Sequence, residues 1–132
     1  MRNENETMTV LNDNNISKNI KIVDLRVNQN GGELTGFEAI LDNNSETDYE
    51  YGYRYHLEVY QKEQWYVYKS EEKDSFIFKM IAFPLPAGER RTGVYDFLYQ
   101  QSLASGQYRF VTEVIPKDMI NTEYVWYEFE IE

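Results

Sequence analysis

Apolar and polar positions alternate along most of this chain, and the alternation is sharpest in its middle. Tyr49, Tyr51, Tyr53 and Tyr55 stand at every second position, and Leu57 and Val59 continue the series. Successive side chains on a β-strand point to opposite faces, so these six residues share one face. Glu50, Gly52, Arg54, His56, Glu58 and Tyr60 form the other, mostly polar face. The pattern predicts a strand over roughly 49–60 with one side toward a core and one toward water. A turn at Gln61-Lys62-Glu63-Gln64 leads into a second aromatic strand at 65–68, which closes a hairpin.

The alternation continues in both directions. Ile20 and Ile22 share one face and Val23, Leu25 and Val27 the other, so the phase change near Ile22-Val23 predicts a bulge in the first long strand. Asn28-Gln29-Asn30-Gly31-Gly32 reads as a turn of residues that tolerate positive φ. Phe37, Ala39 and Leu41 make a strand, and residues 42–48 a polar loop. Residues 70–74 read as a charged loop and 76–82 as strand-like. Pro84 and Pro86 stop regular pairing before a turn at Ala87-Gly88-Glu89. A short strand over 92–96 and one helical turn over 97–102 follow. Tyr108, Phe110, Thr112 and Val114 mark another strand, and Val125, Tyr127, Phe129 and Ile131 the last. Seven to nine short strands with no long helical period predict an all-β antiparallel sandwich. Residues 1–17, rich in Asn, Glu and Thr, read as a flexible leader with a short edge pairing at Met8-Thr9-Val10-Leu11. A single domain over 18–132 accounts for the rest.

Composition narrows the function classes. The chain has 132 residues, 42% apolar and 16% aromatic, which suits one core-bearing domain. The net charge is −10, from 23 acidic and 13 basic residues. A nucleic-acid binder needs a cationic footprint to displace counterions from phosphates, and Arg90-Arg91 is the longest basic cluster here. No nucleic acid is expected as a partner. There is no cysteine, so disulfides, thiolate metal sites and a cysteine nucleophile are excluded. No apolar run reaches the 18 residues of a membrane span, and residues 1–15 contain no hydrophobic signal-peptide core.

No catalytic set converges. His56 is the only histidine, it falls on the polar face, and no Gly-x-Ser-x-Gly elbow accompanies it. One histidine makes a zinc site improbable. Asp42, Asn44, Glu46 and Asp48 are spaced like the start of a calcium loop. Thr47 then stands where glycine belongs and Tyr53 where the bidentate glutamate belongs, so a solvated loop is expected. Glu128 and Glu130 fall on the outward side of the last strand, facing water rather than a cleft. No cofactor, metal or enzyme activity is expected. Tyr51, Tyr53, Tyr55, Phe110, Tyr127 and Phe129 are in step with core positions. Tyr60, Tyr124 and Trp126 are out of step, and exposed large aromatics mark contact surfaces. These three form the candidate binding surface, for a protein or a glycan, unless a loop or the N-terminal segment covers them.

Leu103-Ala104-Ser105-Gly106-Gln107-Tyr108-Arg109-Phe110 resembles the tyrosine corner of immunoglobulin-like sandwiches. That likeness implies a structural corner of Leu103, Gly106 and Tyr108, with the Tyr108 hydroxyl bonded to backbone a few residues upstream. Phe110 stands where an antibody domain carries its second cysteine. An ordered set of further pieces comprises 41–45, Tyr51-Gly52, His56-Leu57-Glu58, Gln64-Trp65-Tyr66, Leu85-Pro86-Ala87-Gly88-Glu89 and Gly106-Gln107-Tyr108-Arg109. Over residues 20–131 the chain resembles the bacterial immunoglobulin-like domain of Gram-positive envelope proteins and lipoproteins.

The resemblance implies an immunoglobulin-like β-sandwich, an extracellular or cell-envelope setting, and a non-catalytic interaction or spacer role. It brings no catalytic residues. The chain departs from lipoproteins in showing no lipid-bearing cysteine, so a lipid anchor would lie outside this sequence, and a cytoplasmic location is the alternative. The chain also resembles the small intracellular proteinase inhibitors of bacilli, which would place contacts on loops at 70–75 or 84–90. Carbohydrate binding through the outward aromatics is a third expectation.

Overall fold

The computed structural model describes residues 7–68, 81–117 and 121–132. Among them run nine strands: β1 (Thr7–Met8), β2 (Ile20–Asn30), β3 (Glu33–Asn43), β4 (Tyr49–Gln61), β5 (Gln64–Val67), β6 (Phe83–Leu85), β7 (Arg90–Gln101), β8 (Gly106–Pro116) and β9 (Glu123–Ile131). They form two antiparallel sheets. The larger has the order β1-β5-β4-β8-β9, with β6 also pairing β4; the smaller has the order β2-β3-β7. The sandwich is all-β and immunoglobulin-like. None of the described residues forms a helix long and apolar enough to cross a membrane.

Alternation builds the core as the sequence predicts. Phe37, Ala39 and Leu41 of β3 and Tyr95 of β7 face Tyr49, Leu57, Phe110, Val114 and Val125 of the larger sheet, and all are buried. Phe37 sits at the centre of a ring cluster, 5.2 Å from Phe110, 5.3 Å from Phe129 and 5.5 Å from Phe97 between centroids. Burial pushes the Tyr95 phenol up to about 12, with the Thr112 hydroxyl opposing. Tyr95 also lies across Gly93, where any Cβ would fall 2.8 Å from its ring.

Three departures from plain alternation have physical causes. The register of β2 against β3 shifts between Ile22 and Asp24. Ile20 and Ile22 are therefore buried, Val23 is exposed at the bulge, and Leu25 and Val27 return to the core side. In β4 the register shifts between Tyr51 and Tyr55. Tyr51 and Tyr55 pack on the core, but Tyr53 rides on the bulge and packs edge-on against Phe83, 5.2 Å away, instead of entering the core. The Thr112 hydroxyl fastens this bulge by donating to the Arg54 carbonyl at 2.7 Å. Finally, residues 97–101 are strand and not a helical turn. Phe97 is drawn onto Phe37 and Tyr55, and the chain reaches the Leu34–Gln101 pair through a register shift.

The loop expected at 70–74 and most of the strand expected at 76–82 lie outside the described residues. The loop at 84–90 is held at several points. Ala87 N–H donates to Asp48, Glu89 N–H to the Pro86 carbonyl, and Asn43 Nδ2 to the Leu85 carbonyl.

The turn between β4 and β5 has an unusual composition. Lys62 and Glu63 both have positive φ, 53° and 63°, as a two-residue hairpin turn with the twist of its strands requires. Asn-Gly satisfies that geometry with least strain, whereas each ordinary side chain there costs roughly 1–2 kcal/mol. Replacing Lys62-Glu63 by Asn-Gly should therefore stabilise the domain by at least about 1 kcal/mol, read as a higher midpoint in urea unfolding. An unchanged or lower midpoint would show that the turn relaxes in solution.

Candidate binding surface

The outer side of the larger sheet is where the sequence places water, and it carries the least expected feature of the molecule. Glu58 on β4 stands opposite Arg109 on β8. Both are buried, at 0% and 7% exposure. Arg109 Nε donates to Glu58 Oε1 at 2.7 Å, and its Nη2 lies 2.6 Å from the same oxygen. Glu58 Oε2 accepts from the Thr9 hydroxyl and contacts His56 Nε2, each at 2.8 Å. Arg109 Nη2 also donates to Thr9 Oγ1 at 2.9 Å. Burial pushes the Glu58 carboxyl up, but the hydrogen bonds from His56, Thr9 and Arg109, together with the Arg109 charge, outweigh it and hold the carboxyl below its ordinary value.

The N-terminal segment supplies the cover. Residues 7–17, the described part of the stretch expected as a flexible leader, cross this face from one edge of the sheet to the other. Thr7 and Met8 pair with Val67 and Tyr66 of β5. Thr9 N–H donates to the Trp65 carbonyl. Asn12 and Asn15 knit a turn, with Asn12 N–H donating to Asn15 Oδ1 and Asn15 N–H to Asn12 Oδ1. At the far edge Tyr124 N–H donates to the Asn15 carbonyl at 2.7 Å, and Ser17 N–H donates to the Tyr124 carbonyl at 2.8 Å. Between Val10 of this strap and the sheet, His56, Val67, Val111, Glu113 and Tyr124 line a groove of about 310 Å³.

The three out-of-step aromatics now have places. Trp126 is half-buried and its ring lies 5.2 Å from the Arg109 guanidinium carbon; Trp65 covers the other side at 4.4 Å. Tyr60 is 41% exposed and tilts against Trp65 at 5.2 Å. Tyr60, Trp65, Arg109 and Trp126 thus form a continuous row over β4, β5, β8 and β9, with the cation between two indoles. Tyr124 is half-buried and is engaged through its backbone by the strap. Pairing parity alone assigns Trp65 and Arg109 to this face, but only the strand register brings them together.

At the corner, Tyr108 is 2% exposed and its hydroxyl donates to the Ala104 carbonyl at 2.7 Å. Leu103 packs against the core from the turn that precedes β8. Gly106 opens the strand with φ 153°. Burial raises the Tyr108 phenol above its ordinary value. Tyr108→Phe should cost about 0.5–1.5 kcal/mol, since it removes one hydrogen bond and leaves the ring stacked on Phe129. A chemical melt indistinguishable from wild type would mean that the bond contributes nothing.

Other candidate clusters are engaged elsewhere. Asp42 pairs with Arg90 at 2.9 Å and Asp48 accepts from Ala87. Arg54 lies 3.5 Å from Glu113. A family model described as a bacterial Ig-like domain matches residues 14–130. A search of curated proteins finds no match.

Proposed function

The chain belongs to the bacterial Ig-like domain family, and from that premise we propose that it is a non-catalytic interaction or spacer module of a bacterial cell-envelope protein. Its proposed setting is the envelope or the extracellular side. The observation that carries the interaction reading is the row of Tyr60, Trp65, Arg109 and Trp126, whose rings are partly exposed yet held in place by one another. Rigid aromatic side chains supply contact area at low entropic cost, which is why they anchor protein and glycan interfaces, and the buried Arg109 holds the two indoles in place beneath.

Binding measured against peptidoglycan fragments, glycans and a panel of serine proteases tests the proposal. Trp126→Ala should weaken the interaction at least tenfold, and substitutions in 84–90 should leave it unchanged. Circular dichroism should confirm that the variants fold. Protease inhibition that disappears with the 84–90 substitutions and ignores Trp126→Ala would replace this reading with an inhibitor. Fractionation of the full-length protein tests the setting; recovery in the cytosol alone would contradict it.

A further inference from the structure

β9 forms one edge of the larger sheet, and its pairing with β8 runs from Glu123 to Ile131 without a register shift. Backbone groups on an edge strand point alternately to the neighbour and away from it. Tyr124 points away, because both of its backbone groups are taken by Asn15 and Ser17 of the strap. The alternation then turns the N–H and C=O of Trp126, Glu128 and Glu130 outward as well. The strap leaves the edge at Asn15 to cross the sheet face. No other backbone hydrogen bond among the described residues reaches those three positions. The chain itself pairs with this edge through one parallel bridge between Ile16 and Tyr124; past Ser17 it turns into β2, which packs alongside β9 in the other sheet without hydrogen-bonding to it.

Charge selects the occupant. Glu128 and Glu130 are exposed on the outer side of β9, on a chain of net charge −10. A second copy pairing β9 with β9 would set glutamates against glutamates, and like charges opposite one another destabilise a sheet. We propose that the β9 edge from Trp126 to Glu130 docks an extended segment of a partner protein by strand addition, with lysine or arginine at alternate positions facing Glu128 and Glu130. The backbone supplies the pairing, the two glutamates supply the preference for basic side chains, and the ring of Trp126 gives the incoming strand an apolar contact at one end. This rests on the interaction-module reading and names its partner class.

The probes are two synthetic octapeptides, one alternating lysine with threonine and the other glutamate with threonine. They are titrated into the full chain at low ionic strength, where exposed charges are least screened. The lysine peptide should bind at least tenfold more tightly and slow amide exchange at Trp126, Glu128 and Glu130. Glu128→Pro removes one outward N–H at an edge position where proline is tolerated, so it should weaken the lysine peptide at least tenfold with the melting temperature little changed. The double variant Glu128→Lys/Glu130→Lys should reverse the preference between the peptides, and it supplies the test if the proline variant is unfolded. Equal binding of both peptides, no binding of the lysine peptide, protection confined to other strands, or an unreversed preference would each overturn the proposal. The glycan and protease panel together with fractionation tests the module reading separately, so failure of strand addition is distinguishable from failure of that reading.

Discussion

Arg109→Met should destabilise the domain by about 3–5 kcal/mol at neutral pH, because it leaves the Glu58 carboxylate buried without its charge partner. That is a large part of the roughly 5–15 kcal/mol that holds a domain folded. Replacing both partners, as Glu58→Leu/Arg109→Met, should recover most of the loss, since an apolar pair of similar volume leaves no unpaired charge. The pH dependence has a definite sign. In the native protein the Glu58 carboxyl is held below its ordinary value of 4.5. Its contribution is complete above that value and drains away as the pH falls through the lower folded one. In Arg109→Met the hydrogen bonds from Thr9 and His56 remain but the Arg109 bonds and charge are lost, so the carboxyl rises and the destabilisation relative to wild type should shrink as the pH falls. Urea unfolding of both proteins from pH 7 to pH 4 checks this, and a deficit that stays constant or widens toward acid would refute the assignment.

Phe110→Ala should cost about 3–5 kcal/mol, the usual range for deleting a buried aromatic ring. Phe110 is 0% exposed and meets Tyr95 at 4.9 Å, Phe37 at 5.2 Å and Tyr55 at 5.5 Å, so its cavity would be lined by rings from both sheets. Those rings are anchored by three different strands and have little freedom to collapse inward. A loss below about 1 kcal/mol in urea unfolding would mean that the core repacks.

The two predictions differ in how legible their residues were. Phe110 was readable, because its parity with Tyr108, Thr112 and Val114 assigns it to the core and nothing in the fold competes with that assignment. The same holds for Phe37, Leu41 and Leu57, and for the bulge at Val23, where two apolar phases meet. Alternation misassigned Tyr53 because a β-bulge adds residues without any mark in the hydrophobic pattern. It also misjudged residues 97–101, where core contacts of Phe97 override a locally turn-like sequence.

The Glu58–Arg109 pair lies beyond single-strand reading for a different reason. Parity correctly places both on the outer side of the sheet, but parity does not say that the side is covered. The cover is a polar segment rich in asparagine, whose contribution is one threonine hydroxyl, a few backbone bonds and the turn at Asn12 and Asn15. Such a segment has the composition of a solvated leader, and its docking depends on long-range pairing with β5 and β9. Trp126 shows the same limit. Its parity marks it as outward, and the cation that it covers is on another strand.

Whether β9 is open beyond Tyr124 decides where a partner can dock, and native-state amide hydrogen exchange of the free domain reads it directly. Tyr124, Val125, Tyr127 and Phe129 should exchange slowly, the first through the Asn15 carbonyl and the others through pairing with β8. Trp126, Glu128 and Glu130 should exchange at rates close to those of an unstructured peptide. Slow exchange at all three would mean that the edge is already occupied, and would contradict strand addition at this site.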